Sequence, residues 1–317
     1  PAAARWKERI NMNKITERLL KAVSDWTGVP QNAAYNIREN GLCAGRQSTK
    51  NIQITSKTDK PGIDVTILPD TKGETVYIPA CVTHSAINDL VYNDFYIGEN
   101  ADVTIVAGCG VHSDGEEEAR HNGIHRFVLG KNAHVLYLEK HLGTGTGTGA
   151  RKIDPVTEVE QAEGSVMEME TTQIGGVDST HRTMSAKLAA DAKLRVRERL
   201  LTDGSQQAFT DFNVSLDGDG SGCDLISRSV AKEQSHQEFR SVIHGNRPCT
   251  GHSECDAIIM GHGTVNASPA LAANHEDAAL IHEAAIGKIA GEQILKLCTL
   301  GLTEEEAEAK IVEGFLR

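Results

Sequence analysis

A short sequence pattern recurs about every thirty residues along this chain, and it constrains the fold more than any other feature. The segment Asn-Ala-Asp-Val-Thr-Ile at 100–105 reappears as Asn-Ala-His-Val-Leu-Tyr at 132–137. A small residue opens each unit, at positions 101, 133, 164, 192, 223 and 255, so that successive units begin 28 to 32 residues apart. Apolar and polar residues alternate inside the units, which is typical of strands with one buried face. Turn-forming glycine, asparagine and aspartate cluster between them, so the sequence predicts a solenoid of β-coils.

Most strand-based repeat architectures need a pattern that this chain lacks. Leucine-rich repeats need a Leu/Asn consensus, a propeller blade needs about 40 residues, and a left-handed hexapeptide helix needs a six-residue rhythm. A parallel β-helix fits, and it also accommodates an aromatic content of only 4%, because small and aliphatic side chains fill its core. We therefore expect residues 60–280 to form a parallel β-helix with the six small positions stacked in register. An antiparallel sandwich of short strands remains the alternative.

Helix-forming patterns are confined to the two ends of the chain. Residues 13–26 predict an amphipathic N-terminal helix, whose apolar face comprises Ile15, Leu19, Val23 and Trp26. Residues 291–300 predict a second helix that stops at Gly301, because glycine commonly follows a helix end. A capping box at Thr303–Glu306 then opens a last helix, which runs to about Phe315.

The pair of C-terminal helices either seals the last coil, as solenoids require, or offers a docking surface to a partner, and both roles stay open. The chain therefore divides into three parts. These are an N-terminal helical or irregular segment (1–60), a β-helix core (61–280) and a C-terminal helical segment (281–317).

Composition excludes several classes of protein. The chain carries 44 acidic against 32 basic residues, a net charge of -12, which argues against a nucleic-acid surface. No apolar run approaches the roughly 20 residues of a membrane span, and no secretory signal is recognisable. Seven cysteines, an odd number, fit reduced thiols better than a disulfide framework. We expect a cytoplasmic protein that binds neither nucleic acid nor membrane.

Ligand-type side chains concentrate in two segments near the end of the predicted solenoid. The first, Gly-His-Ser-Glu-Cys-Asp at 251–256, contains Cys255 together with His252 and Glu254. The second, Ala-Leu-Ile-His-Glu-Ala at 279–284, contains His282 and Glu283. Thiolate, imidazole and carboxylate groups suit iron or another thiophilic metal. No CxxC spacing accompanies them, so the chemistry alone indicates only a soft metal or sulfur.

Four blocks of the chain resemble the SufB/SufD family of iron–sulfur cluster assembly scaffolds, and the similarity covers residues 81–317. The blocks are Gly-Ile-His-Arg-Phe at 123–127, Gln-Ile-Gly-Gly-Val-Asp-Ser-Thr at 173–180, Glu-Arg-Leu-Leu-Thr-Asp-Gly at 198–204 with Ser-Arg-Ser-Val-Ala-Lys at 227–232, and the segment 251–316. The resemblance implies a right-handed parallel β-helix flanked by helical segments. This fold agrees with the period derived above.

The function implied by the resemblance is that of a scaffold, not an enzyme. Family members work with an ABC-type ATPase, SufC, which binds the C-terminal helices and drives a shape change that exposes the assembly site. Clusters are held transiently and pass to recipient apo-proteins. Two other functions stay open from the residues alone: a carbohydrate-active β-helix enzyme with an exposed carboxylate cleft, and a purely structural interaction module.

Three site residues follow from the resemblance. Cys255 matches the SufB cysteine implicated in holding the nascent cluster, Glu283 matches a SufB glutamate of the same site, and His282 resembles the corresponding imidazole. Because one chain carries all three, we expect a homodimer rather than one half of a SufB–SufD pair. The chain resembles a short, minimal SufB-like form, because most of the large N-terminal region of long SufB proteins is missing.

The remaining cysteines and one glycine run receive structural interpretations. We find no counterpart of the persulfide-accepting cysteine in the matching coil, near 179–188. Cys223 and Cys255 are expected to share one inward position in consecutive coils. The run Gly-Thr-Gly-Thr-Gly-Thr-Gly at 143–149 lacks the lysine of a phosphate-binding loop, so we expect no bound nucleotide. No role is assigned to Cys249, and small apolar packing is expected for Cys43, Cys81, Cys109 and Cys298.

Overall fold

Strand-forming alternation extends along most of the chain, and the resulting strands coil into a solenoid. The structure, a computed structural model, describes residues 13–28, 33–173 and 175–317. It is 58% β-strand and forms a β-solenoid of about eight turns, with one N-terminal and two C-terminal helices. This confirms the predicted mainly β solenoid with helices at both ends. Residues 1–12 and 29–32 of the predicted N-terminal segment lie outside the described residues.

The elements follow one another along the described chain in this order: α1 (Lys14–Ser24), β1 (Ala34–Glu39), β2 (Leu42–Gln47), β3 (Ile52–Ser56), β4 (Gly62–Ile67), β5 (Lys72–Val82), β6 (Asn88–Ile97), β7 (Asp102–His112), β8 (Ala119–Leu129), β9 (His134–Thr144), β10 (Arg151–Ile153), β11 (Val156–Gln161), β12 (Val166–Gln173), β13 (Ser179–Leu188), β14 (Lys193–Thr202), β15 (Gln207–Leu216), β16 (Gly222–Ala231), β17 (His236–Gly245), β18 (Cys249–Ile259), β19 (Thr264–Ala273), β20 (Ala278–Gly287), α2 (Gly291–Thr299) and α3 (Glu304–Phe315).

Successive coils stack their strands into two ten-stranded sheets. The first sheet has the order β2-β1-β5-β7-β9-β12-β14-β16-β18-β20. The second has the order β19-β17-β15-β13-β10-β8-β6-β4-β3, and β11 also lies between β13 and β8. Neighbouring strands are parallel except for β1/β2 and β3/β4, which pair antiparallel. β1 also pairs in parallel with β5, and β20 continues to Gly287, so the sheets extend beyond the predicted limits of 61 and 280 at both ends.

The core lies between the two sheets, where inward residues of both interlock. Phe95 of β6 stacks on Phe127 of β8 with ring centroids 4.6 Å apart, and Tyr137 of β9 meets Phe127 edge-on at 5.0 Å. Most of the other residues of this hydrophobic core are aliphatic or small. This arrangement agrees with the low aromatic content, because each coil adds only a thin layer of side chains to a continuous column.

Six of the turns that precede strands of the first sheet each contain one residue in the left-handed conformation. These residues have φ angles from 54° to 71° and comprise Asp70, Asn100, Asn132, Gly164, Asp191 and Gly220. Asparagine, aspartate and glycine tolerate this conformation best. Their backbone N–H groups continue the ladder around the corner: that of Asn100 donates to the Lys131 carbonyl at 2.9 Å, and that of Asn132 to the Glu163 carbonyl at 3.0 Å.

The small residue that follows each turn is buried, and the register stacks these residues as Ala101, Ala133, Ser165, Ala192, Ser221 and Cys249. The predicted stack was therefore wrong at three of its six positions. Gly164 is the left-handed turn residue itself. Cys223 pairs with Leu194, and Cys255 pairs with Ser227, so the two cysteines do not share a position in consecutive coils. Loops of unequal length change the number of residues per coil, so sequence spacing alone does not give the position of each residue in the stack.

Helix α1 packs on the outer face of the first sheet. Asn13 caps it by accepting the Thr16 backbone N–H at 2.8 Å, and the predicted apolar residues Leu19 and Val23 are buried. The helix lies so close to β7 that a Cβ at Gly108 would be only 2.4 Å from the Val23 carbonyl oxygen. The helix ends at Ser24, two residues before the predicted limit at Trp26.

The two C-terminal helices pack on each other. The Thr303 side chain accepts the Glu306 N–H, and the Glu306 side chain accepts the Thr303 N–H, which confirms the predicted capping box. No residue of α2 is buried, whereas α3 buries Ala307 and Val312. None of the helices in the described part of the chain combines the length and the apolarity needed to cross a membrane.

Removing one core ring tests the importance of the interlocked layer. Phe127 is fully buried, so Phe127→Ala is expected to lower the free energy of unfolding by about 3–5 kcal/mol. Tyr96→Ala, at a side chain that is 40% exposed on a neighbouring strand, should change it by no more than about 0.5 kcal/mol. Urea unfolding followed by circular dichroism measures both values. Equal losses would contradict the assignment of Phe127 to the core.

Candidate functional site

The three predicted site residues lie on the last two strands of the first sheet, but on both of its faces. Cys255 is in β18, and His282 and Glu283 are in β20. The register pairs Ser253 with His282, Glu254 with Glu283 and Cys255 with Ala284. Because successive side chains alternate between faces, Cys255 and His282 share the interior face as diagonal neighbours. Glu283 lies on the outer face, so the structure brings together two of the three.

The Cys255 thiol is closed off from solvent. Its residue is 1% exposed, and burial raises the pKa of Cys255 to about 12, with the negative charges of Glu198 and Asp256 adding to the effect. The side chain is therefore a neutral thiol at neutral pH. A thiolate is the form that binds metal and attacks sulfur, so the Cys255 thiol is unreactive in this arrangement.

His282 has a fixed orientation. Its Nδ1 donates a hydrogen bond to the Ser253 carbonyl oxygen at 3.0 Å. This contact places the proton on Nδ1 and leaves the lone pair on Nε2, which is how protein carbonyls commonly prepare a histidine for metal binding. The ring is half-buried in the last coil, because no further coil covers it.

A second group of ligand-type side chains lies on the outer face of the same two strands. One atom each of His252, Glu254 and Glu283 can be chosen so that all three lie within 4.8 Å of one another. His252 Nδ1 is 2.8 Å from Asp224 Oδ1, and its Nε2 is 3.9 Å from Glu283 Oε2. Burial raises the pKa of Glu254, and the hydrogen bond and charge of the adjacent Asp256 raise it further.

Ionic side chains occupy the interior of the solenoid and lead towards Cys255. Glu139 accepts from Arg182 Nη1 at 2.6 Å, and Arg182 Nε lies 3.4 Å from Glu198 Oε1. Ser227 donates to Glu198 Oε2 at 2.7 Å, and Ser227 is the register partner of Cys255. This row of polar side chains, the polar file, therefore runs along the interior from Glu139 in β9 to Ser227 in β16, and Cys255 is next to its last residue in the register.

A further chain of hydrogen bonds runs from the second sheet to Glu139, the first residue of the polar file. The Asn93 amide donates to His125 Nε2 at 3.2 Å, His125 Nδ1 donates to the Tyr137 hydroxyl at 2.9 Å, and Tyr137 donates to Glu139 at 2.9 Å. Burial by itself raises the pKa of Glu139, but the charges of His141 and Arg182 hold it well below its usual range. Glu139 is therefore the anion on which the network depends.

Sequence reasoning missed this interior network. A signal was present, because strict alternation in β9, β13 and β14 assigns Glu139, Arg182 and Glu198 to inward positions. A buried charge needs a partner, and here the partners are 43 and 16 residues apart in sequence (139 to 182, and 182 to 198). The period of the solenoid was needed to place them side by side.

The network makes stability depend on pH. Burial lowers the pKa of His125 to about 4 from 6.5 in the unfolded chain, so between these values only the unfolded state binds the proton. The contribution of His125 to stability, about 3 kcal/mol, is therefore fully present above pH 6.5 and is lost as the pH falls towards 4. Urea midpoints measured at about pH 7.5 and 5 should differ more for the wild type than for His125→Leu. Equal pH dependence in both would show that His125 does not titrate as described.

Comparison with known proteins agrees with this geometry. The SufBD core domain of SUF-system iron–sulfur cluster assembly matches residues 91–315, which include both the interior network and the last coils. The chain belongs to the SufBD family.

Several archaeal SufBD family proteins are similar over most of this chain. One from Methanothermobacter thermautotrophicus is 29% identical over 254 residues, which are 77% of this chain and 59% of that protein. One from Methanocaldococcus jannaschii is 27% identical over 240 residues, 74% of each. The iron–sulfur cluster assembly protein SufB of Bacillus subtilis is 32% identical over 96 residues, 29% of this chain and 21% of that protein. The chain spans 59% and 54% of the two Methanothermobacter relatives.

The cysteines differ in burial and in their neighbours. Cys81, Cys109, Cys223, Cys249 and Cys255 are buried, while Cys43 is exposed and Cys298 is half-buried. Burial keeps the pKa of Cys109 well above its usual value and raises that of Cys223 to about 12. Cys255 differs from Cys223 and Cys249, which share its interior face, because it pairs with Ser227 of the polar file and is the diagonal neighbour of His282.

Proposed function

We propose that the chain is a non-enzymatic scaffold on which iron–sulfur clusters are assembled transiently before they pass to recipient apo-proteins. The observation that carries this proposal is the placement of a buried thiol and an oriented imidazole as diagonal neighbours in the last coils of a SufBD core. Cys255 supplies the sulfur ligand, and Nε2 of His282 supplies the nitrogen ligand. Both types suit iron in clusters.

A second copy of the chain completes the site. One chain offers one such thiol and one imidazole, whereas a cluster usually takes four protein ligands. Strand β20 is at the edge of its sheet, and the last coil turns Leu271 and Ile286 inward although they remain 39% and 40% exposed. A twofold axis through this end would cover the apolar residues and join two sets of ligands, giving a homodimer.

Because Cys255 is buried, exposing its thiol requires energy from a second protein. A thiol that is 1% exposed and has a pKa of about 12 binds iron only after the last coils open. We propose that a SufC-like ABC ATPase supplies this work by docking on α2 and α3. Leu295 and Leu300 are 66% and 76% exposed and offer the apolar contact.

Anaerobic reconstitution with ferrous iron and sulfide tests the cluster site. Cys255→Ser is expected to remove most of the charge-transfer absorption, because the substituted hydroxyl is a poor iron ligand. Cys223→Ser is the matched control: it is also buried, also in the first sheet and one strand away, and should retain the absorption. Normal cluster formation in Cys255→Ser would rule out this thiol as a ligand.

Two pairs of surface substitutions test the dimer contact and the ATPase contact independently. Leu271→Asp with Ile286→Asp should convert the dimer to a monomer in light scattering, whereas Leu42→Asp, 74% exposed on β2 far along the sheet, should leave a dimer. Leu295→Asp with Leu300→Asp should abolish capture of the SufC-like ATPase without changing the oligomeric state. Deletion of residues 291–317 should likewise abolish capture of the ATPase without changing the oligomeric state. A monomeric wild-type chain would contradict the shared site.

A further inference from the structure

The outer face of the last two strands carries an imidazole with an unusual arrangement of partners. His252 lies between two carboxylates, but the two contacts differ: Nδ1 is 2.8 Å from Asp224, and Nε2 is 3.9 Å from Glu283. The first distance is a hydrogen bond and the second is not. Asp224 therefore holds the proton on Nδ1 and directs the lone pair of Nε2 towards Glu283.

Another histidine of the same sheet shows that this arrangement is not a general result of the strand register. His134 also lies between two carboxylates, with Nδ1 3.2 Å from Asp102 and Nε2 3.6 Å from Glu168. Neither contact is as short as the one between His252 and Asp224, and the ligand atoms of His134, Asp102 and Glu168 do not form a group of three within 4.8 Å of one another in the described residues. At His252, the ligand atoms of Glu254 and Glu283 do converge in this way.

The charge around His252 favours a cation. Asp224, Glu254, Asp256 and Glu283 place four carboxyl groups on three neighbouring strands, and Arg228 is the cation that acts on Glu254. Carboxylates that face each other across paired strands, as Glu254 and Glu283 do, repel one another. A divalent ion between them would convert this repulsion into attraction.

We propose that His252 Nε2, Glu254 and Glu283 bind a divalent first-row transition ion, with ferrous iron as the ion that the protein uses. One imidazole and two carboxylates form a donor set that suits iron, manganese or zinc. The Asp224 carboxylate orients the imidazole, a contact that commonly supports metal-binding histidines. Glu283 then acts apart from Cys255 and His282, on the opposite face of the sheet.

This inference rests on the proposed function for its biological meaning. Glu254 stands between Ser253 and Cys255 in β18, and Glu283 follows His282 in β20, so the iron site and the cluster ligands are successive residues on two faces of one sheet edge. Iron held outside at the edge strand would be close to the thiol when the last coils open. The scaffold would thus keep iron and sulfur separate until assembly begins.

Metal titration of the full chain under anaerobic conditions tests the site directly. Ferrous iron is measured by equilibrium dialysis, and cobalt(II) is the spectroscopic probe, because its visible bands report nitrogen and oxygen ligation. The wild type should bind one ion per chain. His252→Ala, Glu254→Gln and Glu283→Gln should each weaken binding by at least as much as Asp224→Asn, for which about 10- to 100-fold is expected. His134→Ala is the matched control and should leave the Kd unchanged.

A second variant distinguishes this proposal from the proposed function. Cys255→Ser should bind ferrous iron as the wild type does but fail to build a cluster. Binding that persists in His252→Ala with Glu283→Gln, or that is absent in the folded wild type, would overturn the iron site and leave the cluster proposal standing. Loss of iron binding in Cys255→Ser alone would overturn it as well, because the ion would then lie on the interior face. Circular dichroism confirms that each variant is folded.

Discussion

The parallel backbone ladder is the constraint on which the other features of this molecule depend. Each coil repeats the register of the one before it, and the left-handed turn residues carry the hydrogen bonds around the corner between sheets. Once the register is set, every side chain has a fixed face and fixed neighbours. The separation of Cys255 from Glu283 is one example. Cys255 pairs with Ala284, and Glu283 pairs with Glu254. Because neighbouring residues of a strand point to opposite faces, Cys255 and Glu283 lie on opposite sides of the sheet.

The same ladder allows charge inside the core. A lone carboxylate in a solenoid interior would cost several kcal/mol, but Arg182 reaches Glu139 on one side and Glu198 on the other. Such a network stabilises the fold only while every member is present. It also sets the electrostatic environment of the last coils, since the charge of Glu198 contributes to the high pKa of Cys255. Interior polarity and thiol reactivity are therefore linked through one carboxylate.

The sequence predicted the solenoid, the terminal helices and the capping box at Thr303, because alternation and capping are local signals. It failed on register, as Gly164 shows: a small residue in the correct unit proved to be the turn and not the stacked position. Register depends on loop lengths summed over coils, which local patterns do not contain. The interior network was missed for the same reason. The sequence marked His252, Glu254 and Glu283 as ligand-type side chains near Cys255, but it did not predict that they form a separate group. Alternation between Cys255 and Glu254 could have placed Glu254 and Glu283 together on the outer face.

The position of the candidate site at the end of the solenoid has a physical reason. In the middle of the ladder each strand is held on both sides, so a buried thiol there becomes accessible only if the core breaks. Strand β20 is held on one side only, by β18, and its inward residues are half-buried or exposed. Opening there disrupts one set of backbone hydrogen bonds and little apolar packing, which places it at the low-stability end of local unfolding. A thiol near this end can therefore be exposed by local opening at a small cost in stability, and Cys255 lies one strand in from that edge.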